Sequence, residues 1–334
     1  MINDFLKFPQ EEQRKLFTVV AYQTGLSPTV IEKDLWVCWA LSKLFSMDIS
    51  VSMGFKGGTS LSKVYKLIQR FSEDLDITLD YRAFKKLDLP IESYTRSFLK
   101  KFGEELKSFV QDTIYQSILP NFEKLAKETI ETSALKFEVN NFGDSIRIYY
   151  PTVFAILDNY LSHSILIEFG ARNITEPNEI HVIKPYLADH IKDFELSVAK
   201  VNVLSPLKTF WEKVTLIHVE CHRGRIGRQP NRLSRHWYDL AKLCDSPIAT
   251  QALADTQLML DVIKHKQAFF NASYANYEKC LTRQFMLIPD EKELAALKQD
   301  FTTMINTGMF YGEKPVFDNV IHKLRELETK LNTQ

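Results

Sequence analysis

Apolar and polar positions recur along the chain with two periods, and the change from one to the other divides it. After Ser27-Pro28, a helix start signal, the run PTVIEKDLWVCWALSKLF keeps apolar residues at helical spacing and predicts a largely buried helix over 28–46. ISVSMGFKGG then reads as a strand ending in a glycine turn. From Thr59, TSLSKVYKLIQ sets Leu61, Val64, Leu67 and Ile68 on one face, with Thr59 or Ser60 able to cap the start, and predicts a helix. EDLDITLD alternates acidic with apolar residues and predicts the next strand. Residues 91–131 read as mainly helical, and ALKFEVNN, SIRIYYP and SHSILIEFGAR as three further strands. Beyond about residue 204 the segments 206–221, 232–245, 248–270, 290–306 and 315–331 all carry helix-length periodicity. The expectation is an α+β fold, with an N-terminal region over 1–204 and a helical region over 205–334 meeting near VNVLSP.

Length supports this division, because 334 residues exceed the size at which one hydrophobic core stops growing. An apolar fraction of 45% is enough to fill two cores and argues against long disorder. Forty-two basic residues balance 42 acidic ones, so attraction to nucleic acid has to come from a local patch. Cys38, Cys221, Cys244 and Cys280 lack zinc-site or disulfide spacing and read as reduced thiols. The N-terminus has no apolar signal-like run, and LWVCWAL is too short to cross a bilayer. A soluble cytoplasmic protein with no membrane partner is expected.

Candidate chemistry gathers around the glycine turn. Side chains two apart on a strand share a face, so Asp74 and Asp76 point the same way while Leu75 and Ile77 anchor the other face. Two such carboxylates suit a hard divalent ion that also binds phosphate and water; a solvated acidic strand is the alternative. Gly57 and Gly58 let the backbone turn sharply and approach a ligand, and Thr59 and Ser60 add hydroxyls at a helix start. A plain turn with a helix cap fits the same residues. Glu168, set among apolar residues in SILIEFGA, is either a third metal carboxylate or the partner of Arg172. Arg70 either neutralises a phosphate or pairs with Glu73 or Asp74.

The run CHRGRIGRQPNRLSRHW holds Arg223, Arg225, Arg228, Arg232 and Arg235 without an acid, which suits triphosphate or an RNA backbone, or a solvated loop. AFFNASYANY and MFYGEKPVF carry aromatics whose spacing favours core over base stacking.

GGTSLSKVY followed by RFSEDLDI resembles the polymerase-β-type nucleotidyltransferases, and within them the AbiEii/AbiGii toxin branch. LKTFWEKVTLIH resembles the third motif of that branch, with Lys213 as its lysine, and RLSRHWYDLAKL the fourth, with Asp239 as its aspartate. The resemblance implies a polymerase-β-like domain with a mixed sheet, followed by a helical domain that contributes the lysine and aspartate motifs to the site. It implies that Asp74 and Asp76, with Glu168 as the candidate third carboxylate, hold Mg²⁺ or Mn²⁺. Lys56, Gly57, Gly58, Thr59, Ser60, Lys63, Arg70 and Ser72 form the nucleotide-binding set. Lys213 would neutralise triphosphate charge, and Asp239 would position a ligand or act as a base. The implied activity is NMP transfer from an NTP to an acceptor, the tRNA 3′ end first among them, by a growth-inhibiting toxin with a cognate antitoxin in a toxin–antitoxin or phage-defence system. Transfer to protein, with Ser60 or Thr59 as targets, and a binding-only module are the alternatives.

Overall fold

The computed structural model describes residues 2–128, 135–154, 163–191, 196, 199–227, 232–306 and 309–333. The chain forms two compact units, one of Met1–Tyr65, Phe71–Lys86 and Gly103–Leu204, the other of Lys66–Arg70, Leu87–Phe102 and Ser205–Gln334. The division at Leu204/Ser205 lies where the strand signals stop. Two stretches of the N-terminal half nevertheless group with the second unit.

The first unit opens with helices α1 (Ile2–Leu6), α2 (Gln10–Thr24) and α3 (Pro28–Phe45). Ser27 caps α3 by accepting from the Val30 N–H, and Pro28 fits the first turn, where no N–H is needed. Strand β1 (Met53–Lys56) runs into helix α4 (Gly57–Lys63), and β2 (Leu75–Leu79) follows. Helix α5 (Arg96–Thr113) passes from one unit to the other at Phe102/Gly103 and continues through a π turn, Ile114–Ile118, into α6 (Leu119–Lys127). Strands β3 (Lys136–Val139), β4 (Ser145–Tyr149), β5 (Ser164–Gly170), β6 (Asn178–Ile183) and β7 (Ala199–Leu204) complete a seven-stranded sheet ordered β3-β4-β5-β2-β1-β7-β6. The sheet is mixed: β2 runs parallel to β5 and β1 parallel to β7, while the remaining pairs are antiparallel. Helix α3 packs on β5 and β7, and its Trp36 stacks on Tyr150 at 5.1 Å.

Before residue 205, two findings depart from the expected elements. Helix α4 stops at Lys63 rather than near Gln69, because Lys66 takes a left-handed backbone (φ 53°) and Ile68 is bound into the second unit, its carbonyl accepting from the Tyr311 hydroxyl at 3.0 Å. Strands β6 and β7 were not expected. Edge strand β6 leaves Ile180 and Val182 exposed, so it lacks the outward polar alternation that marks a half-buried strand.

The second unit adds α7 (Pro206–Arg223), α8 (Ser234–Cys244), α9 (Pro247–Ala254), α10 (Thr256–Phe269), α11 (Tyr277–Leu281), α12 (Glu291–Asn306) and α13 (Phe317–Thr333). The helix expected over 248–270 is two, because the Asp255 carboxylate accepts from the Leu258 N–H and caps a new start. Trp211 and Trp237 are buried and keep their indole N–H groups satisfied on the Ala252 and Leu287 carbonyls. No helix among the described residues is long and apolar enough to cross a membrane.

Candidate active site

In the first unit the glycine turn and the aspartates meet. Lys56 of β1 pairs in register with Asp76 of β2, and Gly57 follows at once with φ +82°, a backbone that side chains resist. A Cβ at Gly57 would lie 2.0 Å from Asp76 Oδ2 and 2.9 Å from its Cγ. Gly57 is therefore required by the carboxylate itself, which occupies the space a side chain would fill. Strand β2 buries Leu75 and Ile77 and leaves Asp76 half-buried, with Asp74 at its threshold equally so. Asp76 is also the register partner of Glu168 on parallel β5, where Ile167 and Phe169 are buried and Glu168 is exposed. Register partners share a face, so Asp76 and Glu168 stand on the same side of the sheet.

The hydroxyls of the turn point inward. Thr59 donates to the Asp74 carbonyl at 2.6 Å and Ser60 to the Gly57 carbonyl at 2.8 Å, and both residues are buried. In this structure these hydroxyls have a structural role. They fasten the helix start to the aspartate strand and hold the glycine turn closed. Lys63 is also held inward: its side chain is 5% exposed, its amine is paired with Asp34 and it lies 3.8 Å over the Tyr186 ring. Burial pulls the Lys63 amine down, but Asp34 and Cys38 outweigh it and the pKa is raised. Ser72 is buried. Lys56, Gly57 and Gly58 are part-exposed and remain at the surface of the turn.

Helix α3 contributes charges that sequence reading passed over inside an apolar run. Glu32, Lys33 and Asp34 are all buried. Glu32 accepts from the Val153 N–H at 2.8 Å and the Thr152 hydroxyl at 2.7 Å, Lys33 pairs with Glu73, and Asp34 takes Lys63 together with the Tyr186 N–H. The Lys33–Glu73 pair thus anchors the residue immediately before Asp74. Three successive ionisable residues in a helix otherwise dense with tryptophan and leucine were the available signal, since buried charges need built partners.

In the second unit Arg70, Lys213 and Asp239 form one buried triad. Arg70 donates Nε to Asp239 Oδ1 at 2.7 Å and Nη2 to Oδ2 at 2.8 Å, and Lys213 Nζ reaches the same Oδ2 at 2.8 Å. Side-chain exposures are 2% for Arg70, 0% for Asp239 and 8% for Lys213, so the lysine is the member nearest solvent. Burial works to raise the Asp239 carboxyl, but Arg70 and Lys213 overcome it and hold it well below the usual carboxylate range. A carboxylate so held is a poor base. Burial lowers Lys213 against the upward pull of Asp239. The Nε and Nη2 edge of the Arg70 guanidinium is engaged by Asp239.

The arginine run begins in the last turn of α7 and ends in the first turn of α8. Arg223 ends α7, donates to Glu220 at 3.0 Å and lies 5.0 Å from the Tyr274 ring centre. Arg225 is half-buried, Arg235 sits in the first turn of α8, and the Arg232 N–H donates to Asp300 at 2.9 Å. Arg228 lies outside the described residues. Asp300 also accepts from the Ser234 N–H at 2.8 Å and so caps α8, the helix that carries Asp239. Of the aromatics, Phe269, Tyr277, Phe310 and Phe317 are core, while Phe270 and Tyr274 are exposed.

Among the described residues no three His, Cys, Asp or Glu side chains gather into a metal cluster. Hard carboxylate oxygens at Asp74 and Asp76, with Glu168 in register, fit the way Mg²⁺ is held by one or two carboxylates together with phosphate and water.

Comparison with known proteins sets this geometry in a family. The family described as "Nucleotidyl transferase AbiEii toxin, Type IV TA system" matches residues 45–323. A solved structure, MenT4, a nucleotidyltransferase toxin from Mycobacterium tuberculosis, superposes with a TM-score of 0.51 at 14% identity, covering 95% of this chain and 90% of that one, a likeness of fold. No curated protein shows significant sequence similarity. The chain is thus a nucleotidyltransferase of α+β fold. It belongs to the AbiEii family of nucleotidyltransferase toxins of type IV toxin–antitoxin systems.

Proposed function

We propose that the protein transfers an NMP unit from an NTP to a hydroxyl of RNA, the tRNA 3′ end first among candidates, releases pyrophosphate and so arrests growth in phage defence. The observation that carries this reading is the packing of Gly57 against Asp76, 2.0 Å from an added Cβ to Oδ2, with Glu168 in register. A turn that merely reverses the chain has no need of a carboxylate in that space. Asp74 and Asp76, with Glu168, would hold Mg²⁺ or Mn²⁺, which when bound neutralises triphosphate charge and acidifies the acceptor hydroxyl. Lys56 and the N–H groups of Gly57 and Gly58 face the phosphates. Lys213 offsets triphosphate charge, and Asp239 orients it. Arg223, Arg225, Arg228, Arg232 and Arg235 attract the RNA backbone, a local cationic run on a chain of zero net charge. NTP and tRNA as substrates fit a cytoplasmic protein, restrained by a cognate antitoxin.

The test is incubation of the full chain with each labelled NTP, Mg²⁺ and total tRNA, beside folded Asp74→Ala and Asp76→Ala variants. Label should enter tRNA with the wild type and fall at least about 100-fold in each variant. Equal labelling by all three proteins, or none with any NTP, would sink the reading. Self-modification at Thr59 or Ser60 is disfavoured because both are buried with hydroxyls donated inward. An unchanged intact mass after incubation with NTP is the expected result.

A further inference from the structure

We propose that Arg70 is a positioning residue for Lys213: by occupying both oxygens of Asp239 it cancels the carboxylate's charge and leaves the lysine a net positive charge to offer to a polyphosphate. The inference rests on the reading that Lys213 meets the triphosphate. A lysine–aspartate pair alone is neutral. An anion approaching Nζ would feel a negative oxygen 2.8 Å behind it, and because Coulomb energy falls as the inverse of distance, much of the attraction would be lost. With Arg70 bidentate on Asp239, the triad carries +1, and its least buried member is Lys213. The planar guanidinium also fixes the carboxylate plane, which turns Oδ2 toward the amine. Arg232 adds positive charge near Arg70, and Arg235 near Lys213.

Arg70 cannot itself be the phosphate ligand in this arrangement, being 2% exposed with its fork on Asp239. Stability alone is a weak reason to keep three charges out of water, since buried ion clusters are commonly replaced by apolar residues without loss. A charge-balancing role accounts for Arg70, Asp239 and Lys213 together.

The test compares Lys213→Ala, Arg70→Gln and the double Arg70→Gln/Asp239→Asn in the full chain, reading NTP KM and kcat, affinity for inorganic tripolyphosphate, and melting. Charge arithmetic gives the triad +1 in the wild type, 0 in Arg70→Gln and +1 again in the double. Arg70→Gln should raise NTP KM and weaken tripolyphosphate about tenfold, and the double should return both to within about threefold of wild type. A folded double as weak as Arg70→Gln overturns the proposal. Lys213→Ala with unchanged KM and tripolyphosphate affinity would instead overturn the underlying reading of the lysine, a distinguishable result. If Arg70→Gln does not fold, the apolar pair Arg70→Met/Asp239→Leu, which also leaves Lys213 at +1, should keep tripolyphosphate binding. A fall to the level of Lys213→Ala would overturn the proposal.

Discussion

Gly57 and Asp76 depend on each other at the scale of single atoms. With φ at +82° and a carboxylate oxygen 2.0 Å from the place of a Cβ, alanine at position 57 has to strain the backbone and push Asp76 aside. The backbone term is about 1–2 kcal/mol for a non-glycine residue in the left-handed region. Displacing a catalytic group by about 1 Å costs about 100-fold in rate. Gly57→Ala should therefore lose about 100-fold in nucleotide transfer with a modest drop in melting temperature, and a folded, fully active Gly57→Ala would refute the assigned contact. The glycines and aspartates were legible in the sequence because their types and spacing are local. Thr59, Ser60 and Lys63 are less legible for the opposite reason: their hydroxyls and amine suit phosphate as well as they suit an inward carbonyl or Asp34. Which partner wins depends on residues far off in the chain, and Asp34 precedes Lys63 by 29 positions.

At the scale of elements, α7 is tied to the segments after α10 and α11 by one histidine. His218 sits against the Asn276 carbonyl at 3.2 Å and receives the Met286 N–H at 3.0 Å. A carbonyl can only accept and an N–H can only donate, so Nε2 carries the proton and Nδ1 is the acceptor. Burial, with Lys279 and His222 adding to it and the Asn276 carbonyl opposing, lowers the His218 pKa to about 4. The folded state therefore binds fewer protons than the unfolded chain between about pH 6.5 and 4. Its contribution to stability is complete above about 6.5 and is lost as pH falls toward 4. Between pH 6.5 and 5 the loss is about 2 kcal/mol. It should appear as a lower urea midpoint followed by the fluorescence of Trp211 and Trp237, both in the second unit, and His218→Gln should flatten that dependence. An unchanged slope in His218→Gln would assign the effect elsewhere. The periodicity of α7 was plain in sequence, whereas its link to Met286 was not, because nothing within the helix records a partner 68 residues away.

Across the whole molecule, the sequence reading of an α+β region followed by helices described the order of elements well, but chain order is not the same as grouping. Lys66–Arg70 and Leu87–Phe102 lie in the N-terminal half and fold with the second unit, so a single cut at 204 cannot describe either one. Arg70 shows the consequence: it is close in sequence to Glu73 and Asp74, yet its guanidinium meets Asp239, which lies beyond residue 204. Two units also mean that a single unfolding midpoint is ill-defined and each should be followed by its own reporter. Trp36 and Trp39 report the first unit and Trp211 and Trp237 the second, which accounts for all four tryptophans. The carboxylates Asp74, Asp76 and Glu168 all lie in the first unit. A ligand that binds the folded state at about 100 times its Kd stabilises by about 2.7 kcal/mol, and units of this size gain about 2–4 °C per kcal/mol. Mg²⁺ with a non-hydrolysable NTP should thus raise the melting transition seen by Trp36 and Trp39 by about 5–10 °C. EDTA should remove the shift, and Asp74→Asn/Asp76→Asn should not show it. An equal shift in that double variant would place the ligand away from the carboxylates, whatever the enzyme's activity.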